Sequence, residues 1–113
     1  MPSKYAIPRQ SAFSKQNGFC YYCNRPMWQE KPNKFAKKHL ISNRDARNLQ
    51  CTAEHLIARC DGGNDKKSNI VAACLFCNQK RHERKKPLSL PQYKEHVTNR
   101  INKGRWFPQR LAL

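Results

Sequence analysis

The chain has 113 residues, enough for one small domain whose hydrophobic core is thin and calls for a further staple. Lysine and arginine number 23 against seven acidic residues, a formal charge of +16; a field of that sign repels basic partners and gathers polyanions, so nucleic acid is the expected partner class. No apolar run approaches the length of a membrane span and the opening MPSKYAIPRQSAFSK lacks the apolar centre of a secretory signal, so the chain reads as intracellular, with no membrane partner.

In chain order, residues 1–17 read as a basic arm with room for a short helix, ended by Gly18. The pair Cys20/Cys23 follows in CYYC, and Pro26 and Pro32 punctuate the next stretch. NKFAKKHLISNRDARN has helical composition over residues 33–48, with Phe35, His39 and Leu40 on one face. From Leu49 the period becomes two: Leu49, Cys51, Ala53, His55 and Ile57 point one way, and Gln50, Thr52, Glu54 and Leu56 the other. DGG at 61–63 supplies residues that tolerate positive φ, so a sharp turn is expected there.

After a loop through NDKKS, NIVAA is a short apolar approach to Cys74. CLFCNQKRHERKK then reads as a knuckle running into a basic helix that Pro87 stops. Asn78 and His82, four residues apart, share a face of that helix. In LSLPQYKEHVTNRINKG, Ser89 is the expected N-cap, Leu90, Tyr93, Val97 and Ile101 an apolar stripe, and Gly104 the terminator. The expected organisation is a single α+β domain: an arm over 1–17, a core over 18–86, and a helix with a basic tail over 87–113 packed on that core.

Four of the six cysteines form the two Cys-x-x-Cys pairs Cys20/Cys23 and Cys74/Cys77. In an intracellular chain, two such knuckles fit one tetrahedral zinc ion on four thiolates; a three-disulfide secreted protein is the competing reading. Cys51 and Cys60 stand alone and read as small buried residues.

Glu54 and His55 stand side by side at a strand end. Neighbours on a strand face opposite ways, so if Glu54 meets a metal, His55 is free for another role. A carboxylate from Glu54, an amide oxygen from Asn78 and an imidazole from His82 can converge on one divalent ion. Each also has a plainer reading: His55 as a satisfied core histidine, Asn78 as a helix-start residue, His82 on a solvated basic face. His39 and His96 have no partner that the motif would recruit.

Taken together, AEHLIARCDGG, Asn69, CLFCNQKRH and the distant CYYC resemble the HNH endonucleases of the ββα-metal class, in the subgroup stapled by zinc on four cysteines. The resemblance covers about Gly18 to Arg84. It departs from the commonest pattern at Glu54, where Asp is usual, and at Asn78, where His is usual, with His82 available one turn later. It implies a ββα-metal core and a nuclease that hydrolyses DNA, double-stranded DNA first, to 5′-phosphate and 3′-hydroxyl ends. His55 would be the general base, a neutral imidazole oriented by a carbonyl on its other nitrogen. Glu54, Asn78 and His82 would hold a catalytic Mg²⁺, Mn²⁺ or Ni²⁺, and Asn69 would tie the loop to the His55 segment. Cys20, Cys23, Cys74 and Cys77 would hold a structural Zn²⁺ remote from the substrate.

Lys80, Arg81, Arg84, Lys85 and Lys86 flank this site and are expected phosphate contacts, joined by Arg100, Lys103, Arg105 and Arg110 in the tail. Trp106 and Phe107 could stack on bases or dock on the core. The rival reading is a non-catalytic zinc-ribbon nucleic-acid-binding protein. A monomer or a homodimer fits the sequence equally, and a phage, mobile-element or bacterial setting comes from the resemblance alone.

Overall fold

The computed structural model describes residues 4–58, 61–111 and 113. Its frame is an antiparallel hairpin of β1 (Cys51–His55) and β2 (Ile70–Cys74), in register from Cys51 opposite Cys74 to His55 opposite Ile70. With the helix that follows β2 directly, it forms a β, β, α unit inside an α+β chain. A two-stranded hairpin is marginal by itself in water, so what covers its edges and faces decides whether it stands.

Helix α1 (Ala6–Lys15) closes the free edge of β2. Just past its end, Gln16 donates from Nε2 to the Ala72 carbonyl at 2.8 Å and accepts from the Ala72 amide at 2.9 Å. One side chain therefore mimics a paired strand residue. The supposed arm is thus largely a helix seated on the sheet. Its chain direction reverses through Asn17 and Gly18, both at positive φ, into the first cysteine knuckle.

The helix expected over residues 33–48 is two helices, α2 (Pro32–His39) and α3 (Asn43–Arg47). Leu40 ends α2 in the left-handed region at φ 55° and is 91% exposed, and so does not join Phe35 and His39, whose rings do meet, on their shared face. Ser42 then caps α3, its hydroxyl accepting from the Asp45 amide at 3.0 Å. The expected strand from Leu49 is also trimmed: Leu49 lies fully buried before β1, while Leu56 and Ile57 lie beyond it on the surface.

Helix α4 (Leu75–His82) begins at Cys74, whose Sγ accepts from the Cys77 amide as an N-cap would. It stops at His82, short of Pro87, because the chain folds back: Arg81 Nε donates to the Leu88 carbonyl at 3.0 Å. Helix α5 (Leu90–Asn102) follows the sequence expectation closely. Ser89 and Gln92 form a reciprocal capping box, Leu90, Tyr93 and Val97 are buried, and Gly104 sits at positive φ after the end. Tyr93 donates its hydroxyl to the Cys77 carbonyl at 2.7 Å, which pins α5 over the cysteine knuckle. Trp106 docks in the core rather than standing out as a stacking platform, with its Nε1 donating to Cys77 Sγ at 3.3 Å. Among the described residues no helix is long and apolar enough to cross a membrane.

Candidate active site

The four sulfurs of Cys20, Cys23, Cys74 and Cys77 lie within 4.8 Å of one another, all buried. This brings together two knuckles that the sequence separates by fifty residues. Backbone amides point at the sulfurs: Tyr22 and Cys74 donate to Cys20 Sγ at 3.4 and 3.3 Å, and Cys77 to Cys74 Sγ at 3.4 Å. Burial alone would push the Cys20 thiol up, but hydrogen bonds from Cys23, Cys74 and Cys77 outweigh it and hold Cys20 well below the ordinary thiol range. Cys74 is held well above it by hydrogen bonds to Cys20 and Cys23, and Cys77 chiefly by burial. Four buried sulfurs this close together, with backbone amides aimed at them, are an arrangement that a cation completes. The donor set is positioned for one metal ion and fits a zinc site.

A second group of residues gathers where β1 meets α4. Glu54 points inward and is 4% exposed. Its Oε2 accepts from Arg81 Nη1 at 3.1 Å, while Oε1 lies 3.6 Å from His82 Nε2 and has no hydrogen-bond partner among the described residues. Burial pushes the Glu54 carboxyl up against the lowering pull of Arg81 and His82. Such an orphaned buried carboxylate oxygen facing an imidazole nitrogen is what a bridging cation relieves, so these two residues fit a divalent metal. Asn78 stands on the same side: its Nδ2 donates to Thr52 Oγ1 at 3.0 Å, and Thr52 shares the Glu54 face of β1.

His55 points the other way from Glu54, as alternation requires, and its Nε2 lies 2.8 Å from Asp65 Oδ1. The partner expected on the imidazole was a carbonyl; a carboxylate from the loop stands there instead. Tyr5, at the start of α1, meets the ring edge-on with centroids 5.4 Å apart. Asn69 is buried and clamps the loop: Oδ1 accepts from the Ile57 amide at 2.8 Å, and Nδ2 donates to the carbonyls of Ile57 and Asn64 at 3.0 and 2.6 Å. Gly63 lies so near the Ile57 carbonyl that a Cβ there would overlap it. The demand on this glycine is therefore for space, while positive φ belongs to Gly62.

Of the basic residues, Arg84, Lys85 and Lys86 are exposed beyond α4. Lys80 is about 200° around the helix from Asn78, lies over the Phe76 ring and pairs with Glu83 at 3.3 Å. Arg81, expected among the phosphate contacts, turns inward to Glu54 and leaves its side chain 11% exposed. Asp65, Tyr5 and this inward turn of Arg81 were not anticipated: Asp65 sits in an aperiodic loop, and Tyr5 arrives only because α1 folds back. Cys51 is buried as expected, and Cys60 lies outside the described residues.

The model of a family described as HNH endonuclease matches residues 20–84, more than half of the chain and the span that contains both groups of residues. No curated protein and no solved structure gives a match.

Proposed function

The chain belongs to the HNH endonuclease family, and from that premise we propose that it is a metal-dependent endonuclease that hydrolyses phosphodiester bonds of DNA. The observation that carries this reading is the division of labour at one strand end. Glu54 and His55 are neighbours in sequence, yet one is buried against α4 with a carboxylate oxygen that has no hydrogen-bond partner among the described residues, and the other is held by the loop on the opposite side.

In this reading, Glu54, His82 and the amide oxygen of Asn78 hold the catalytic divalent ion, Mg²⁺, Mn²⁺ or Ni²⁺. That ion, when bound, supplies Lewis acidity to the scissile phosphate and offsets charge on the departing 3′ oxygen. His55 takes the proton from the attacking water. Because Nε2 is turned to Asp65, Nδ1 is the nitrogen that accepts it. The products are a 5′-phosphate and a 3′-hydroxyl. Asn69 keeps β1 and the loop in register, so that the imidazole does not wander from the phosphate. Zn²⁺ on the four cysteines fixes the knuckle from which α4 springs and takes no part in hydrolysis. Exposed Arg84, Lys85 and Lys86 meet backbone phosphates, giving affinity without base preference.

The test is a pair of measurements on wild type and His55→Ala: DNA cleavage and DNA binding. The variant should lose cleavage and keep binding. A variant that cleaves as the wild type does would remove His55 from the chemistry. If neither protein cleaves under any of the three metals while both bind DNA, the non-catalytic zinc-ribbon reading replaces the nuclease.

A further inference from the structure

We propose that Asp65 is a positioning residue for His55, a carboxylate that fixes the tautomer and ring plane of the imidazole. The inference rests on the reading of His55 as the base. The Nε2 to Oδ1 distance of 2.8 Å is that of a short, charge-assisted hydrogen bond. A carboxylate only accepts, so Nε2 carries the hydrogen and the lone pair is confined to Nδ1. A neutral imidazole in water exchanges between tautomers and rotates about its side-chain bonds; Asp65 removes both freedoms on one side, and the Tyr5 ring, perpendicular to the imidazole, restricts it on another. Asp65 is itself kept in place: Lys4 Nζ lies 3.6 Å from its Oδ2, and the loop that carries it is tied at Asn64 by the Asn69 side chain.

The geometry gives the loop between the strands a catalytic purpose beyond connection. The Asn69 clamp sets the loop, the loop presents Asp65, and Asp65 presents His55. Because the turn that leads into α1 supplies Lys4 and Tyr5 to the same cluster, folding of the N-terminal segment also bears on the base.

The experiment compares wild type with Asp65→Ala and Asp65→Asn in the zinc-loaded full chain. Two readouts are taken: ¹⁵N-detected imidazole spectra and cleavage kinetics with DNA affinity measured separately. The wild type should show His55 as a fixed Nε2–H tautomer with an observable, exchange-protected ring proton. Asp65→Ala should average the tautomers, lose that proton signal, and lower kcat by about 10- to 100-fold, by analogy with partners that orient metal-bound imidazoles, with DNA affinity unchanged. Asp65→Asn retains an acceptor oxygen and should restore the tautomer and part of the rate. An unchanged His55 spectrum in Asp65→Ala would overturn the proposal, as would an undiminished kcat. The spectra need no turnover, so they decide the part of Asp65 even if the wild type leaves DNA intact, an outcome that strikes only the nuclease reading.

Discussion

Glu54 is held where its charge is costly unless a cation shares it, and that single fact makes several measurements decisive. Its folded-state pKa is raised, chiefly by burial. Without the catalytic ion, the stability it contributes is fully present below the unfolded value near 4.5 and is lost as pH rises through the higher folded value. Relative to Glu54→Gln, zinc-loaded wild type should therefore lose stability on going from acid to neutral pH, measured as the difference between their melting curves. Adding Mn²⁺ at neutral pH should reverse the loss by about 2.7 kcal/mol at a hundredfold excess over Kd, and the Gln variant should not respond. An equal response from both proteins places the metal elsewhere. Cys51 offers an independent check on burial, which pushes its thiol up to about 12. Iodoacetamide at pH 8 should spare Cys51 in the folded protein and alkylate it after denaturation, as read by mass spectrometry. The opposed placing of Glu54 and His55 was legible in the sequence, since strand alternation dictates it. The partners were not: Arg81 looks like any cation in a basic run until the chain folds back at Leu88, and Asp65 belongs to a loop without period.

A few polar clamps join the apolar core in holding the elements around the site. Gln16 is the clearest, since it meets both backbone groups of Ala72 on the outer edge of β2, where the Tyr21 amide also donates to the carbonyl. Gln16→Ala should lower stability by about 1–3 kcal/mol in urea melts; no loss means that other groups or water replace it fully. Gly63→Ala should act differently, displacing the loop against the Ile57 carbonyl and disturbing the Asp65–His55 pair. Cleavage should then fall more than DNA binding does. Helix α5 could be read from the sequence because Ser89, the three- and four-residue spacing of its apolar stripe and Gly104 agree with one another. The break between α2 and α3 could not, because Leu40 adopts φ 55°, a conformation that glycine or asparagine normally advertises and leucine does not. The early end of α4 was hidden for a similar reason, since tertiary hydrogen bonding at Arg81 decides it before Pro87 is reached.

For the whole molecule, the four-cysteine site is where distant parts of the chain meet. It joins Cys20 and Cys23 to β2 and α4, and Tyr93 and Trp106 of the C-terminal part close over it. Chelation of its metal should abolish the cooperative thermal transition, and re-addition of zinc should restore it; a transition that persists unchanged would show that the apolar core suffices. The joint spacing of the two knuckles made this group readable from sequence, because two pairs of thiols in one short chain have few other uses. The charge of +16 predicts DNA affinity that falls steeply with salt in any reading, so binding alone does not separate a nuclease from a zinc ribbon. The deciding measurement is conversion of supercoiled plasmid by wild type and His55→Ala, each with Mg²⁺, Mn²⁺, Ni²⁺ or EDTA. Metal-dependent nicking by the wild type that EDTA and the substitution both abolish is the predicted result; plasmid bound but intact with every metal, or cut equally by both proteins, contradicts it.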